Sequence, residues 1–439
     1  MFFLYNALLT AAVPVLAAYW GFQALFRGKA RRGLRERLGF PDLPAVSNGP
    51  PTLWIHAVSV GEVHAAAPFT RALRGKLSGW RFVLSTVTET GREAGVRRIP
   101  EADMRIYFPL DFPWSVSAAI RRVNPSLVVI VETEIWPNFL RRLRSAGIPA
   151  VIVNGRISPR SFRRYVLIRP FMARILASVT GFGMQSESDA RRITELRAPA
   201  ERVRVGGNLK FDDAAEARPP GPEEKKALRK ELGFPEDARV WVAGSIHPDE
   251  EAPVVEAYRA LLKAHPGLRL VLAPRHPERA SAIGDLLRSR QIEYHLRTGG
   301  QQREDASVLV LNTLGELGRT YRAGDIAFVG GSLIAWGGQN PLEPAGLGLP
   351  VLFGGYMHNF EEAARVLAEA GPGGVSGARR IEGPLHGSAA RLAEAVSELL
   401  DSPDLASAMG QRGREVVRAQ AGAAERYAEW VAEIAAGRP

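Results

Sequence analysis

Short apolar runs recur along the chain, and each is followed by turn residues and then by a segment with the apolar spacing of a helix. In the first half, helices such as Val116–Val123 and Asn138–Ala146 separate these runs. The runs are Thr52–Val58, Arg81–Thr86, Arg105–Phe108, Leu127–Val131 and Ala150–Val153. Because strands that alternate with helices form parallel sheets, the pattern predicts an α/β fold with a doubly wound parallel sheet.

The same pattern returns in the second half, after a change in composition. The segment Ala214–Lys226 is polar and rich in Pro, Glu and Lys, which is typical of an interdomain linker. The later apolar runs are Val240–Ala243, Leu268–Ala273, Val308–Val310, Ala327–Gly330 and Pro350–Phe353. A chain of 439 residues is long enough for two domains of this kind, and we predict them at 29–213 and 214–439.

The first residues have a different pattern. Phe2–Phe26 contains no charged residue, and about 20 apolar residues span a bilayer. Six Lys and Arg residues follow between Arg27 and Arg37, which by the positive-inside rule places the rest of the chain in the cytoplasm. We therefore predict a membrane anchor at 1–28 that contacts an anionic lipid surface. Whether it spans the bilayer or lies in the interface stays open.

Charge and composition favour one kind of partner and exclude several kinds of site. The net charge of +11 favours an anionic partner, and the absence of cysteine excludes disulfides, thiolate zinc sites and cysteine nucleophiles. No P-loop, GxGxxG, HExxH or Asp-x-Asp motif occurs, so we predict neither a cofactor nor a metal site. The basic stretch Arg156–Arg174 lacks a nucleic-acid-binding module, so we predict no nucleic-acid partner. It is either a solvated helix or a contact for anionic headgroups.

Two carboxylates in the first half follow predicted strands directly. Glu62 lies in Ser59-Val60-Gly61-Glu62, where a short loop opens a helix. It either complements the helix dipole or acts as a general base at the end of the strand. Glu132 follows the run that ends at Val131, and Glu134 comes two residues later, ahead of Pro137. This pair is either a site or a helix entrance, and Glu132 is the stronger candidate.

Three segments in the second half suit a nucleotide. Asn340-Pro341-Leu342-Glu343 predicts a helix start with Asn340 as N-cap, where a phosphate can bind. Glu343 either binds the hydroxyls of a ribose or complements the dipole. Arg275 follows another strand and either meets a phosphate or forms a surface ion pair. The loop at Leu314-Gly315-Glu316 again opens a helix. Since these strand ends share one edge of a parallel sheet, we expect the three segments to converge.

Several longer motifs together resemble the Kdo transferases of lipopolysaccharide synthesis. They are Ser59-Val60-Gly61-Glu62, Glu132-Thr133-Glu134-Ile135-Trp136-Pro137, Leu209-Lys210-Phe211-Asp212, Pro274-Arg275-His276-Pro277-Glu278-Arg279 and Gly338-Gln339-Asn340-Pro341-Leu342-Glu343-Pro344. The resemblance implies the GT-B architecture, in which two Rossmann-like domains face a cleft. It also implies that 29–213 binds the acceptor and 214–439 binds CMP-Kdo, and that Kdo moves with inversion from CMP-Kdo to the lipid A precursor (lipid IVA) at the inner membrane.

The resemblance also implies roles for particular residues. Glu62 would be the general base, and Glu132 and Lys210 would stabilise the transition state. The CMP site would comprise Pro274, Arg275, Leu314, Gly315, Glu316, Asn340, Pro341, Leu342 and Glu343.

Two other functions are compatible with parts of this pattern. One is a GT-B-fold nucleotide-sugar epimerase, which would be soluble, so the apolar Phe2–Phe26 segment counts against it. The other is a membrane-tethered anionic-lipid binder without catalysis, against which the three strand-end segments count.

Overall fold

The computed structural model describes residues 1–26, 33–42, 49–299 and 306–437, with side chains described only to residue 14 in the first range. The chain forms two compact units. The first contains Met1–Asp213 and Gln420–Pro439, and the second contains Ala214–Ala419.

Each unit is built on a seven-stranded parallel sheet. The order in the first unit is β3-β2-β1-β4-β5-β6-β7, and in the second β10-β11-β9-β8-β12-β13-β14. The strands are β1 Thr52–His56, β2 Arg81–Thr86, β3 Met104–Tyr107, β4 Leu127–Val131, β5 Ala150–Gly155, β6 Gly181–Met184, β7 Val203–Val205, β8 Arg239–Ile246, β9 Leu268–Pro274, β10 Tyr294–Leu296, β11 Val308–Val310, β12 Ile326–Val329, β13 Val351–Gly354 and β14 Ala378–Ile381. The predicted α/β class with parallel sheets is confirmed.

Helices connect the strands and cover both faces of each sheet. They are α1 Phe2–Phe26, α2 Leu34–Arg37, α3 Val60–Lys76, α4 Glu89–Arg98, α5 Pro113–Val123, α6 Pro137–Ser145, α7 Pro159–Leu167, α8 Arg169–Leu176, α9 Glu187–Glu195, α10 Leu209–Ala215, α11 Pro222–Glu231, α12 Pro248–Leu261, α13 Ala280–Ser289, α14 Leu317–Tyr321, α15 Leu342–Gly346, α16 Glu361–Ala368, α17 Ser388–Asp401, α18 Pro403–Gln420 and α19 Ala423–Ala435.

The strand orders reverse beside β1 and beside β8, and this determines where ligands can bind. In the first sheet β1 lies between β2 and β4, and in the second β8 lies between β9 and β12. Helices leave such neighbouring strands in opposite directions, which opens a crevice at their carboxyl ends. The segments that the sequence singles out around Glu62, Glu132, Arg275 and Asn340 all follow these strands.

The C-terminal helix α19 belongs to the first unit, although the sequence-based boundary placed 214–439 in the second domain. Tyr427 and Trp430 of α19 pack so closely on β6 that a Cβ at Gly181 would lie 2.5 Å from Trp430 and one at Gly183 2.4 Å from Tyr427. The Asp212 carboxylate accepts hydrogen bonds from backbone N–H groups at the start of α19, including that of Gly422 at 2.8 Å. The sequence around Gly181 and Gly183 gives no local sign that two aromatic rings pack against these glycines.

Helix α1 forms where the apolar segment predicts an anchor, and its first turns contact the body of the first unit. Phe2 packs edge-on against Phe171 with 5.2 Å between ring centroids, and the Tyr5 hydroxyl donates to Asp111 at 2.9 Å. Within the described residues, no helix has both the length and the apolar character needed to cross a bilayer, which does not support a spanning anchor. Residues 27–32, in the basic flank that the sequence predicts, lie outside the described residues.

Candidate active site

Glu62 lies in the first turn of α3, directly after the loop that follows β1. Its carboxylate accepts hydrogen bonds from the backbone N–H of Val58 at 2.7 Å and from the Ser59 hydroxyl at 3.0 Å. The residue is 8% exposed. The side chain thus turns back onto its own loop, where it stabilises the strand-to-helix connection.

The surroundings of Glu62 favour its protonated form. Burial, followed by the negative charge of Glu132, raises the pKa of Glu62 to about 8, although the Val58 N–H and the Ser59 hydroxyl act in the opposite direction. A carboxyl group with a pKa near the working pH is a more effective proton acceptor than an ordinary surface carboxylate, because proton transfer to it is more favourable.

Glu132 follows β4 and has an unusual backbone. Its φ of 62° lies in the left-handed region, which is unfavourable for a residue with a Cβ and often marks a functional position. Its backbone N–H still donates to Val153 at 2.9 Å, and its carboxylate lies 2.9 Å from the Lys210 ammonium group. The strained backbone therefore turns the Glu132 side chain out of the strand and towards Lys210.

Lys210 is held in the first turn of α10 by two asparagines. Asn154 accepts a hydrogen bond from the Leu209 N–H, and Asn208 accepts one from the Lys210 N–H, each at 3.0 Å. The structure therefore brings together the three residues that the resemblance implied for catalysis. Lys210 contacts Glu132 directly, and the charge of Glu132 acts on Glu62.

Glu134 is a third carboxyl group in this cluster, although the sequence favours Glu132 as the candidate. Burial, and after it the charge of Glu132, raises the pKa of Glu134 to about 7. Its charge also helps to raise the pKa of Tyr165 in α7. The signal in the sequence was the Glu-Thr-Glu spacing. That spacing left open whether the pair is a site or a helix entrance, and in the structure the charges of both Glu132 and Glu134 act on Glu62.

In the second unit, the loops after β8, β9 and β12 bring cationic and aromatic side chains together. The Arg275 N–H donates to Ile246 at 2.9 Å, which joins these loops. The His247 ring lies 4.7 Å from the Trp336 ring and 6.2 Å from the His276 ring. Burial, with the charges of His276 and Arg275, lowers the pKa of His247. Pro274 is buried and Arg275 is exposed, and among the described residues the Arg275 guanidinium has no ion-pair partner.

Glu316 is held by neighbouring side chains. Burial acts to raise its pKa, but hydrogen bonds from Thr313 at 2.5 Å and from Arg297 at 3.1 Å, together with the charges of Arg297 and Arg319, outweigh burial, so the pKa lies below its usual value. Gly315 has a φ of 84°, and Leu314 is 68% exposed. Leu314 and Gly315 are therefore the exposed part of this predicted segment, whereas Glu316 is half-buried.

The segment Asn340–Glu343 has the predicted helix start, shifted by one residue. Helix α15 begins at Leu342 with Pro341 at the N-cap, and Asn340 accepts a hydrogen bond from the Leu342 N–H at 3.1 Å. The Glu343 carboxylate lies against α14, since a Cβ at Gly318 would be 2.8 Å from its Oε1. The predicted segments at 314–316 and 340–343 are therefore neighbours.

Comparisons with known proteins show which family the chain is similar to. Residues 32–213 match the family model of the 3-deoxy-D-manno-octulosonic-acid transferases (kdotransferases). The chain is 34% identical to the 3-deoxy-D-manno-octulosonic acid transferase of Haemophilus influenzae, over 97% of this chain and 96% of that protein. It is 32% identical to the transferase of the same name from Bordetella pertussis, over 85% of each chain.

The fold is similar to that of a solved glycosyltransferase. The crystal structure of a glycosyltransferase from Rickettsia africae matches 89% of this chain and 100% of its own, with a TM-score of 0.60 and 13% identity. At that identity the likeness shows the fold alone, which is GT-B-like with two Rossmann-like sheets. The family follows from the curated relatives and from the motifs that surround Glu62, Glu132 and Lys210. This chain belongs to the Kdo transferase family and is a glycosyltransferase.

Proposed function

We propose that this chain is an inverting transferase that moves Kdo from CMP-Kdo onto the lipid A precursor lipid IVA, with Glu62 as general base. The observation that supports it most strongly is the place of the Glu62 carboxyl group, which lies in the first turn of the helix that follows β1 and is only 8% exposed, so that burial raises its pKa to about 8. A base at this place could take the proton of an acceptor hydroxyl at the pH at which the enzyme works.

The proposed reaction is a single displacement. The acceptor hydroxyl oxygen forms a bond with the anomeric carbon of Kdo while the bond from that carbon to the phosphate oxygen of CMP breaks. The hydroxyl proton passes to Glu62, and the electron pair of the broken bond leaves with CMP. Positive charge grows on the sugar and negative charge on the departing phosphate.

Glu132 and Lys210 have charges that suit this transition state. Their ion pair is held at 2.9 Å, and their side chains are only 23% and 18% exposed. A carboxylate favours the positive charge of the sugar ring, and an ammonium group favours the Kdo carboxylate or the departing phosphate. Fixed charges in a partly dry site act without the reorganisation that water would need.

We propose that the second unit binds the CMP part of the donor. The candidate residues are Pro274, Arg275, Leu314, Gly315, Glu316, Asn340, Pro341, Leu342 and Glu343. Arg275 offers an exposed cation for the phosphate, and Glu343 offers acceptor oxygens for the ribose hydroxyls. The backbone near Gly315 and Asn340 supplies N–H groups. The proposal includes neither a metal ion nor a cofactor.

We also propose that the protein works at the inner membrane, on its cytoplasmic side. Phe3 and Leu8 on α1 are 87% and 64% exposed, and Leu167 at the end of the arginine-rich α7 is 82% exposed. Apolar side chains beside arginines are typical of surfaces that contact anionic lipid. Such a surface would suit an acceptor that is itself a phosphorylated lipid.

A single assay separates this proposal from the two alternatives. Purified protein would be incubated with CMP-Kdo, with and without lipid IVA, while released CMP and transferred Kdo are measured. A transferase releases CMP in proportion to the Kdo that reaches lipid IVA. An epimerase would change a nucleotide sugar without any acceptor, and a non-catalytic lipid binder would release no CMP above the uncatalysed rate.

A further inference from the structure

The second unit contains a fully buried carboxylate that the proposed reaction does not use. Glu250, in the first turn of α12, is 0% exposed. Its two oxygens accept hydrogen bonds from four backbone N–H groups, which belong to His247 at 3.0 Å, Gly331 at 2.6 Å, and Ser332 and Leu333 at 2.9 Å each. Burying a charged group is costly unless such partners satisfy it, so this carboxylate fixes the backbone that surrounds it.

The loop that Glu250 holds is directly connected to the candidate CMP site. The Gly331 carbonyl accepts a hydrogen bond from the Gly338 N–H at 2.7 Å, and the Gly330 carbonyl accepts one from the Gln339 N–H at 3.1 Å. Asn340 is the next residue along the chain. The position of Asn340 therefore depends on the loop after β12, and the loop depends on Glu250.

The neighbouring residue holds a second loop in the same way. Glu251 is 4% exposed, and its oxygens accept hydrogen bonds from the Arg279 guanidinium at 3.0 Å and 2.8 Å. Arg279 ends the short 3-10 turn that follows Arg275 and His276 after β9. Two successive carboxylates of α12 thus hold the loops on either side of β8, one after β12 and one after β9.

We infer that Glu250 and Glu251 are paired positioning residues of the nucleotide site, which hold the Asn340 segment and the Arg275 segment in their binding geometry before the donor arrives. This inference rests on the proposed role of the second unit in binding CMP. Both carboxylates act through these loops, without contacting the nucleotide themselves. Their effect is that little conformational entropy remains to be lost when the nucleotide binds.

The test uses three variants of the full chain. In Glu250→Gln, an amide NH₂ replaces one acceptor oxygen and faces backbone N–H groups, so the loop must shift. We expect the Kd for CMP to rise about ten- to hundredfold, the usual effect of losing a charged hydrogen bond. We expect a smaller rise, about three- to tenfold, for Glu251→Gln, which leaves one acceptor for Arg279. The matched control is Glu256→Gln, also on α12, which loses ion pairs with Arg259 of that helix and with Arg290 at the end of α13 and should change the Kd less than about twofold.

A steady-state comparison distinguishes positioning from a general loss of stability. For folded Glu250→Gln protein we expect the KM for the donor to rise while the KM for the lipid acceptor stays as in the wild type. A residue that only supports the fold would lower the melting temperature and leave both KM values unchanged. A Kd for CMP within about twofold of the wild type in both variants would overturn the inference.

Hydrogen exchange of the wild-type protein gives an answer even if Glu250→Gln fails to fold. We expect the amides of Gly331, Ser332 and Leu333 to be protected without CMP. Fast exchange that slows only when CMP is added would overturn the inference, because the loop would then be ordered by the ligand. If the wild-type protein does not bind CMP at all, the proposed function fails, and the exchange measurement still reports whether the amides that Glu250 binds are ordered without a ligand.

Discussion

The Lys210 ammonium group lies 2.9 Å from the carboxylate of Glu132, a residue with left-handed backbone. Three carboxyl groups share this part of the first unit, and the charge of Glu132 acts on both of the others. The Lys210 ammonium group offsets part of the negative charge of Glu132. Because Glu132 directly follows β4 and its charge acts on Glu62, this ion pair affects how readily the proposed base ionises.

Removing the cation is expected to impair turnover more than folding. Lys210→Ala leaves Glu132 without this ammonium partner, so the pKa values of Glu62 and Glu134 should rise further and less of the base should be ionised at neutral pH. We expect the turnover number to fall about a hundredfold or more, since a charge aimed at the transition state is lost. Lys76→Ala, which breaks ion pairs with Glu425 and Glu429, is the control. Turnover of Lys210→Ala equal to that of this control would exclude Lys210 from the mechanism.

The pH dependence of activity follows from the raised pKa of Glu62. A base must be deprotonated to accept a proton, so we expect kcat/KM to increase with pH and to level off above about 8. Because kcat/KM reports the free enzyme, the ligand-free structure is the relevant state. Initial rates at low donor concentration between pH 5 and 9.5 would give the profile. A rate that is flat over this range would contradict the assignment of the base.

The same pKa predicts how stability changes with pH. The folded protein keeps the Glu62 proton up to a pH of about 8, whereas the unfolded chain loses it near the ordinary value of 4.5. Between these values the folded state binds more protons, so this contribution to stability is complete below about 4.5 and is lost as the pH rises towards 8. We expect Glu62→Gln to gain stability relative to the wild type over this window, by at most about 1.4 kcal/mol per pH unit. Urea unfolding of both proteins at several pH values measures this difference, and a constant difference would contradict it.

More of the fold than of the candidate site could be predicted from the sequence, and the reasons are physical. Strands such as β4 and β8 are buried on both faces and therefore read as continuous apolar runs. The position of Glu62 and Glu132 at strand ends follows from those runs, but their roles came from the family resemblance. Strand β6 was missed because its sequence, Gly181-Phe182-Gly183-Met184, has a glycine at every second position. Those glycines make sense only beside Tyr427 and Trp430, more than 200 residues later.

The partners of Glu250 were beyond prediction for a similar reason. A first-turn glutamate reads as a complement to the helix dipole. The amides that it binds at Gly331, Ser332 and Leu333 lie 81 to 83 residues further along the chain. Only the order of the strands, with β8 beside β12, brings them to the start of α12.

Glu343 is expected to contribute to nucleotide binding. Glu343→Ala removes the carboxylate that lies against Gly318, and we expect the binding free energy of CMP to weaken by about 1.5–3 kcal/mol. Acceptor binding should be unaffected. Isothermal titration calorimetry with CMP measures the change, and Glu369→Ala, which loses an exposed ion pair with Arg365, serves as the control. An unchanged affinity would leave Glu343 with only a dipole role.

The N-terminal helix is expected to affect membrane binding more than folding. Deleting residues 1–26 removes the exposed Phe3 and Leu8, so binding to anionic vesicles should weaken. The body should remain folded, because Asp111 keeps its hydrogen bonds from the Asn138 and Phe139 N–H groups after the Tyr5 hydroxyl is lost. Tyr5→Phe isolates that one contact and should cost about 1 kcal/mol of stability. Vesicle co-sedimentation of full-length and truncated protein is the measurement, and equal binding would contradict the proposed contact.

The most direct test of the mechanism is the Glu62→Gln variant. Its side-chain oxygen can still accept from the Val58 N–H, and the Ser59 hydroxyl can rotate to accept from the new amide, so the loop should be retained. The control is Glu89→Gln, which changes the first-turn glutamate of α4. Turnover of CMP-Kdo with lipid IVA would be measured for both, together with CMP affinity and melting temperature. We predict a fall in turnover of about two to four orders of magnitude for Glu62→Gln alone, with CMP affinity and folding kept. Near-wild-type turnover would contradict the role of Glu62 as the base.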